Sequence, residues 1–306
     1  MQPDRLVIAP KTPSAQSNNV RLGVALMIAT TVVFSVQDGI SRYLAGEYNT
    51  LMVVMIRYWF FALFVMAVAA RSAGGLRAAA RTSQPLIQII RGLLLAGEIC
   101  VMIYGFTVLG LVQSHAVFTC YPLLVAALSG PILGEKVGWR RFSAILVGFF
   151  GVMLIVKPGT EGFNIWSIYA LIAVFFVTVR DLSTRRLSKE VPSMTVTFAA
   201  VLAVTGFSTF AQFTTPWAPV SSAHWIAITA AAVFVLMGYY FSVQTMRVGD
   251  VSFIAPFRYT GLIWALILGW LVFGDWPVPS TLAGASIVAA TGLFTLYRER
   301  ITTRPL

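Results

Sequence analysis

Charged residues are scarce in this chain of 306 residues. They make up 11% of the sequence, whereas hydrophobic residues make up 58% and the mean hydropathy is +0.82. A soluble domain typically carries about 25% charged residues, so the composition excludes an ordinary soluble globular protein. Cysteine is also rare: Cys100 and Cys120 are isolated and have no metal-binding or redox-motif spacing. We interpret both as buried, small apolar side chains.

Motifs for catalysis and nucleotide hydrolysis are missing as well. The sequence contains no Walker phosphate-binding loop, and its two histidines, His115 and His224, lie far apart outside any recognisable nucleophile-and-base arrangement. We therefore expect no enzyme activity, no ATP-driven pumping from within this chain, no cofactor and no metal site.

Basic residues outnumber acidic residues 22 to 11, which gives a net charge of +11. They cluster before the first hydrophobic segment and after every second one, at Arg5, Lys11, Arg21, Arg71, Arg77, Arg81, Lys136, Arg140, Arg141, Arg185, Arg186, Lys189, Arg247, Arg298, Arg300 and Arg304. The other connections hold little beyond Lys157. This alternation is the positive-inside pattern of membrane proteins. It predicts cytoplasmic N- and C-termini and explains the basicity without a nucleic-acid partner.

Long hydrophobic runs dominate the sequence. A lipid bilayer needs about 20 mostly apolar residues per spanning helix, and segments of that kind lie at 22–43, 50–70, 85–108, 112–132, 142–157, 163–181, 193–214, 224–246, 250–272 and 279–297. Such continuous runs do not alternate as the strands of a β-barrel do. The sequence therefore predicts an all-α integral membrane protein with ten transmembrane helices, a disordered tail at 1–20 and a short tail at 299–306, both cytoplasmic.

The ten segments divide into two similar halves, 21–158 and 159–298. Asp38 and Arg42 in the first predicted span correspond to Asp181 and Arg185 in the sixth. The turn Gly134-Glu135 likewise corresponds to Gly274-Asp275. A repeat with an odd number of spans inserts upside down relative to its twin, and such inverted five-helix repeats are typical of transporters that alternate between two gates.

Small residues recur in the fifth and tenth spans. They are Ala144, Gly148 and Gly151 in one half, and Ala285, Ala289 and Gly292 in the other. Small residues allow close approach of helix backbones. These two spans are therefore expected to form tight packing or a homodimer surface.

Charges inside spans are the main candidates for function, since each is costly in a bilayer unless paired or hydrated. Thr31, Ser35, Asp38 and Arg42 form one polar stripe on a helix, which must face another helix or water. Asp38 with Arg42, and Asp181 with Arg185, are interpreted either as parts of two opposite gates or as static ion pairs one helical turn apart.

Three further charges, Arg57, Glu98 and Arg258, also fall inside spans. They either neutralise each other or act in transport, with Arg258 holding an anionic or dipolar substrate and Glu98 or Asp38 carrying a coupling proton. The remaining candidates for substrate binding or gating are His115 and four aromatic residues that could stack or hydrogen-bond: Tyr104, Tyr121, Phe257 and Tyr259. Pro256 should interrupt the ninth span, which is tolerated where a helix lines a cavity.

Taken together, the two five-span halves, the Gly134-Glu135-Lys136 turn before a small-residue span, Arg57 and the Gly274-Asp275 turn resemble the EamA-type family of the drug/metabolite transporter superfamily. The resemblance implies a central cavity lined mainly by spans 1, 3, 4, 6, 8 and 9. The stretch at 90–95, Tyr104-Gly105 and Asp38 are similar to bacterial importers of S-adenosylmethionine and riboflavin. Ala200 stands where the repeat would place a second Arg57, so the halves are not equivalent.

These features predict a secondary transporter of the bacterial inner membrane that moves a small, polar, heteroaromatic metabolite. Riboflavin uptake is the first hypothesis. The alternatives are an exporter of aromatic amino acids or drugs and a carrier of S-adenosylmethionine or a nucleotide-type metabolite, with a membrane enzyme or sensor as a remote one. The expected partners are a small-molecule substrate, the lipid bilayer and a coupling proton.

Overall fold

Helices make up all the regular secondary structure in the part of the chain that the computed structural model describes, which is residues 20–72, 74–134, 138–157, 164–185, 191–215, 217–248 and 254–302. In chain order they are α1 (Val20–Glu47), α2 (Thr50–Arg71), α3 (Gly75–Ala80), α4 (Pro85–Val108), α5 (Leu111–Phe118), α6 (Tyr121–Leu133), α7 (Trp139–Val156), α8 (Ser167–Arg185), α9 (Ser193–Gln212), α10 (Ser222–Val248), a 3₁₀ turn (Ala255–Tyr259), α11 (Thr260–Phe273) and α12 (Pro279–Thr302).

Within the described residues, seven helical segments are long and apolar enough to cross a membrane. They are Arg21–Glu47, Thr50–Arg71, Pro85–Val108, Leu111–Ile132, Ser167–Thr184, Met194–Gln212 and Ser222–Thr245. Two shorter apolar helices lie at Phe142–Val156 and Phe257–Phe273. The prediction of an all-helical, multi-pass membrane protein is therefore confirmed. α12 covers the tenth predicted segment and continues to Thr302, into the predicted C-terminal tail. Except for Val20, the predicted N-terminal tail lies outside the described residues.

Two of the predicted spans are interrupted. The fourth consists of α5 and α6, which meet around Thr119 and Cys120, just before Pro122. Proline lacks the N–H group that would continue the helical hydrogen bonds. In the ninth span, the segment around Pro256 forms a 3₁₀ turn before α11 begins, as its proline predicts. The short helix α3, between the second and third spans, was not predicted, because six residues carry little periodic signal.

Glycines in the left-handed conformation end two helices that occupy corresponding places in the two halves of the sequence. Gly134 ends α6 with φ +73°, and Gly274 ends α11 with φ +69°. Such glycines are favoured there because a side chain would be strained at positive φ. The two glycines that correspond in sequence thus share the same backbone conformation.

Helix packing places the first span against the second half of the chain. α1 packs against α10 and α11, α4 against α8 and α9, α2 against α9, and α7 against α12. In the α7 and α12 interface, a Cβ atom on Gly151 would lie 2.8 Å from the carbonyl oxygen of Gly284. The small residues of the fifth and tenth predicted spans therefore allow tight packing of α7 against α12 within the chain.

Candidate functional site

The polar stripe of α1 faces other helices. The hydroxyl groups of Thr31 and Thr260 are 2.8 Å apart, and Ser35 donates a hydrogen bond to the carbonyl oxygen of Gly261 at 3.4 Å. Both contacts join α1 to α11. Thr31 meets Thr260 at the start of α11, and Arg42 meets Asp275, two residues after its end, so the two helices run in parallel.

Asp38, in the middle of this stripe, faces His115 on α5. The Nε2 atom of His115 lies 3.2 Å from Oδ2 of Asp38 but makes no hydrogen bond. The imidazole stacks on Phe106, with ring centres 5.4 Å apart and an angle of 12° between the rings. The Asp38 side chain is 23% exposed. Its carboxylate is therefore available to a further cation or hydrogen-bond donor.

Arg42 does not pair with Asp38. Its Nη1 and Nη2 atoms both donate to the carboxylate of Asp275, the second at 3.1 Å. Its guanidinium carbon lies 4.1 Å from the ring centre of Phe273. Of the two interpretations of the first motif, the static ion pair between Asp38 and Arg42 is not what forms. Arg42 instead joins α1 to the turn that follows α11.

Arg57 is held by α1 from the neighbouring helix α2. Its side chain is buried, and Nη1 donates to the hydroxyl oxygen of Ser41 at 2.7 Å. Ser41 also accepts a 2.7 Å hydrogen bond from Gln37. In the described part of the chain no carboxylate lies within 4.0 Å of Arg57, but the charge of Asp38 acts on its guanidinium electrostatically. We call Asp38, Arg57, His115 and Ser41 the Asp38 cluster.

A second group of charges joins α4 to α8. Arg180 donates to Glu98 at 2.5 Å and to Asp181 at 3.0 Å. These side chains are 12% to 34% exposed. We call Glu98, Arg180 and Asp181 the Arg180 cluster. Here the carboxylates are neutralised by a guanidinium, whereas the side chain of Arg185, the predicted partner of Asp181, lies outside the described part.

Two residues of these contacts, Arg180 and Asp275, are not among the candidates that the sequence predicts. Arg180 lies inside a span directly before Asp181, and it occupies the repeat position of Gln37. That position is the signal that could have identified it. Asp275 was noted only as part of a repeated turn, and no local feature of the sequence indicates that it contacts Arg42.

Arg258, in the 3₁₀ turn, reaches the other half of the chain. Its Nη1 atom donates to the hydroxyl oxygen of Tyr121 on α6, and Tyr121 packs against Phe118 with ring centres 5.5 Å apart. Arg258 is exposed. Because a guanidinium within a span is costly in lipid, this position favours contact of Arg258 with water or with a polar solute.

The other aromatic candidates lie away from the two clusters. Tyr104 packs against Tyr169 and Trp166, with ring centres 5.2 and 6.3 Å away. Phe257 and Tyr259 line a cavity of about 530 Å³ between α5, α11 and α12. Ile263, which also lines it, is 53% exposed, so the cavity opens at the outer surface of the bundle. Its walls are mostly apolar, and it does not contain the charged clusters.

The arrangement of the charged side chains is suited to binding a solute and to exchanging ion-pair partners. Among the described residues, no group of three or more His, Cys, Asp and Glu side chains could hold a metal ion. The charged side chains lie between helices from both halves of the chain. They could bind a charged or dipolar solute, exchange protons, or form and break ion pairs when helices move.

Comparisons with known proteins agree with this picture. The profile of the EamA-like transporter family matches residues 21–157 and again 164–297. The chain is 25% identical to an S-adenosylmethionine uptake transporter of Rickettsia prowazekii, over 91% of this chain and 93% of that one. It is 26% identical to a riboflavin transporter of Vibrio cholerae, over 92% and 95%. A crystal structure with 16% identity superposes with a TM-score of 0.62 over 93% of this chain.

Proposed function

The chain belongs to the EamA-like transporter family, and we propose that it imports a small heteroaromatic metabolite across the bacterial inner membrane by alternating access. The observation that carries this proposal is the placement of the Asp38 and Arg180 clusters. Both lie inside spans, and each joins helices that must separate if a central cavity is to open on one side. Intramembrane charges of this kind mark substrate and ion pathways.

Ten spans in two inverted repeats would supply the two gates. The family profile matches two consecutive regions of similar length, which supports this arrangement. The helix contacts support it too: the contact of α1 with α10 has its counterpart in that of α8 with α4, and the contact of α1 with α11 in that of α8 with α6. The positions of the basic residues favour termini in the cytoplasm.

The relatives suggest two substrates that share chemistry. Riboflavin and S-adenosylmethionine each carry a flat heteroaromatic ring system and a hydroxylated chain or sugar. The stacked pair of Phe106 and His115 and the pair of Phe118 and Tyr121 provide aromatic surfaces next to charged groups. Riboflavin remains the first hypothesis. S-adenosylmethionine, which carries a sulfonium cation, is favoured by the incompletely neutralised carboxylate of Asp38.

Within this function the charged residues take different roles. Arg258, held by Tyr121, binds an anionic or dipolar group of the substrate. Glu98, whose carboxylate already contacts Arg180, carries a coupling proton as it exchanges partners. A protonophore should then abolish uptake by the parent protein but leave uptake by a Glu98→Gln variant unaffected. Equal sensitivity of both proteins would remove Glu98 from this role.

The test is uptake of labelled riboflavin and of labelled S-adenosylmethionine by bacteria that express the chain, with growth of a riboflavin-requiring strain as a second readout. Arg258→Ala should reduce uptake to background while membrane insertion stays normal. Arg71→Ala is the matched control, because Arg71 is exposed and, among the described residues, bonds only to a carbonyl oxygen of its own helix.

Each outcome has a consequence. Uptake that survives Arg258→Ala contradicts the substrate role of Arg258. If the parent protein reaches the membrane and imports neither compound, the proposed import is wrong. The exporter hypothesis is then tested by measuring whether expression raises resistance to analogues of aromatic amino acids.

A further inference from the structure

Asp275 links three parts of the molecule at one end of the bundle. Its carboxylate accepts two hydrogen bonds from Arg42 of α1 and a third, at 3.1 Å, from the backbone N–H of Leu111 at the start of α5. Its own backbone N–H donates to the carbonyl oxygen of Gly269 in α11. One residue, through its side chain and its backbone N–H, thus holds together the end of α1, the start of α5 and the end of α11.

The contact with α5 replaces a missing helix cap. Residue 110, which precedes α5, is a glycine and has no side chain to accept from the first N–H groups of the helix. Such groups need an acceptor, and a carboxylate also interacts favourably with the helix dipole. Asp275 supplies both from the other half of the chain. Gly110 has φ +89°, and a Cβ atom on it would lie 2.9 Å from Oδ2 of Asp275.

Helices α1 and α5 also carry Asp38 and His115, one turn deeper. On α1, Asp38 lies four residues before Arg42, and on α5, His115 lies four residues after Leu111. Residues four apart lie on one face of a helix. The contacts of Asp275 with Arg42 and Leu111 therefore lie directly over the contact between Asp38 and His115. Separation of α1 from α5 would break both layers.

We propose that Asp275 is a positioning residue that closes a gate, made by Arg42, Asp275 and the N-terminus of α5, over Asp38 and His115. This inference rests on the proposed transport function. In the conformation described here the gate is closed. Arg258 lies nearer the other end of α1, close to the residues of α11 that meet Thr31, and its guanidinium is exposed.

The test measures access from each side of the membrane and needs no substrate. Ser35→Cys, in a Cys100→Ala and Cys120→Ala background, places a reporter thiol one turn below Asp38, where the native side chain is 2% exposed. A membrane-impermeant maleimide is applied to the side where α1 ends. Asp275→Asn should raise the labelling rate from that side about tenfold, because at least one charge-assisted hydrogen bond is lost from the closed state.

Two further variants keep the test decisive. Arg42→Gln removes the same ion pair but leaves the contact of Asp275 with Leu111, so it should also raise labelling from that side, even if Asp275→Asn fails to fold. Glu47→Gln removes an exposed carboxylate from the end of the same helix and should change nothing. Labelling that is unchanged in both gate variants, or that rises equally from both sides, would overturn the proposal. If transport of both substrates is absent, labelling still tests the gate separately.

Discussion

Asp38 and Asp181 occupy corresponding positions in the two halves of the sequence, each four residues before an arginine, but they have different partners in the structure. In the first half, Asp38 meets His115 without a hydrogen bond, and Arg42 binds Asp275. The corresponding aspartate of the second half, Asp181, shares Arg180 with Glu98 of the first half. The difference arises from the residue before each aspartate. Gln37 donates to Ser41 within its own helix, whereas Arg180 reaches across to α4.

The comparison indicates a division of labour. The charged groups of the Arg180 cluster form ion pairs with one another. The cluster therefore stabilises the contact of α4 with α8 unless another charged group replaces one of its members. Within the described part of the chain, the Asp38 cluster has an acceptor, Asp38, without a hydrogen-bond donor and a cation, Arg57, without a contacting carboxylate. Groups left in this state inside a bilayer need water or a ligand. We infer that a solute binds first near Asp38 and that the Arg180 cluster responds to it.

The largest effect is expected from breaking the ion pairs of the Arg180 cluster. Arg180→Gln would leave two carboxylates without their cation, so we expect a loss of stability of about 3 kcal/mol and uptake reduced to background. The midpoint of thermal unfolding in detergent and the rate of uptake measure the two effects. A second change, Glu98→Gln, should restore much of the stability by removing one of the unpaired charges. If Arg180→Gln unfolds like the parent protein, the ion pairs contribute little.

A smaller and more selective effect is expected at the unsatisfied cluster. Asp38→Asn keeps the size of the side chain and removes its charge. Uptake of the cation S-adenosylmethionine should fall about 10-fold to 100-fold, since a charge-assisted interaction is lost. Uptake of riboflavin, which is neutral, should change less than about threefold.

Competition for labelled substrate, measured with equal amounts of protein in the membrane, checks this prediction, and Glu47→Gln serves as the matched charge-removal control. A loss of the same size for both compounds would mean that Asp38 acts in gating or folding and not in recognition of a cation. The two clusters would then differ in geometry but not in role.

Much of this fold follows from the sequence, because each feature depends on a local rule. Hydrophobic runs place the helices, Pro256 interrupts the ninth span, and Gly134 and Gly274 end helices at positive φ. The polar stripe of α1 had to face protein or water, and it faces α5 and α11. These results need only the periodicity of a helix and the cost of exposing polar groups to lipid.

Partner choice within the site could not be predicted, because it depends on which helices meet. The spacing of Asp38 and Arg42 fits an ion pair within one helix, yet Arg42 is closer to an aspartate more than two hundred residues away. The stack of His115 on Phe106 likewise joins two helices across a glycine turn. Long side chains such as arginine reach several neighbouring helices, so local spacing does not decide which acceptor they bind.

The smallest effect is expected at Tyr259, and it decides where the site ends. Its hydroxyl group is buried and has no hydrogen-bond partner among the residues that the structure describes. It lies in the cavity that opens at the outer surface of the bundle and packs against Gly292. Removing an unpaired buried hydroxyl group relieves a desolvation penalty. Tyr259→Phe should therefore raise the midpoint of unfolding slightly, by a gain of at most about 1 kcal/mol, and leave uptake unchanged.

Tyr121→Phe is the matched comparison, because it removes a hydroxyl group that accepts a hydrogen bond from Arg258. That variant should raise the KM for uptake about tenfold, since a hydrogen bond is lost from the Arg258 guanidinium, which we propose binds the substrate. If Tyr259→Phe impairs uptake as strongly as Tyr121→Phe, the surface cavity belongs to the transport path and the site extends beyond the two clusters. If only Tyr121→Phe impairs uptake, the path runs between α1, α4, α6 and α8, where the charges lie.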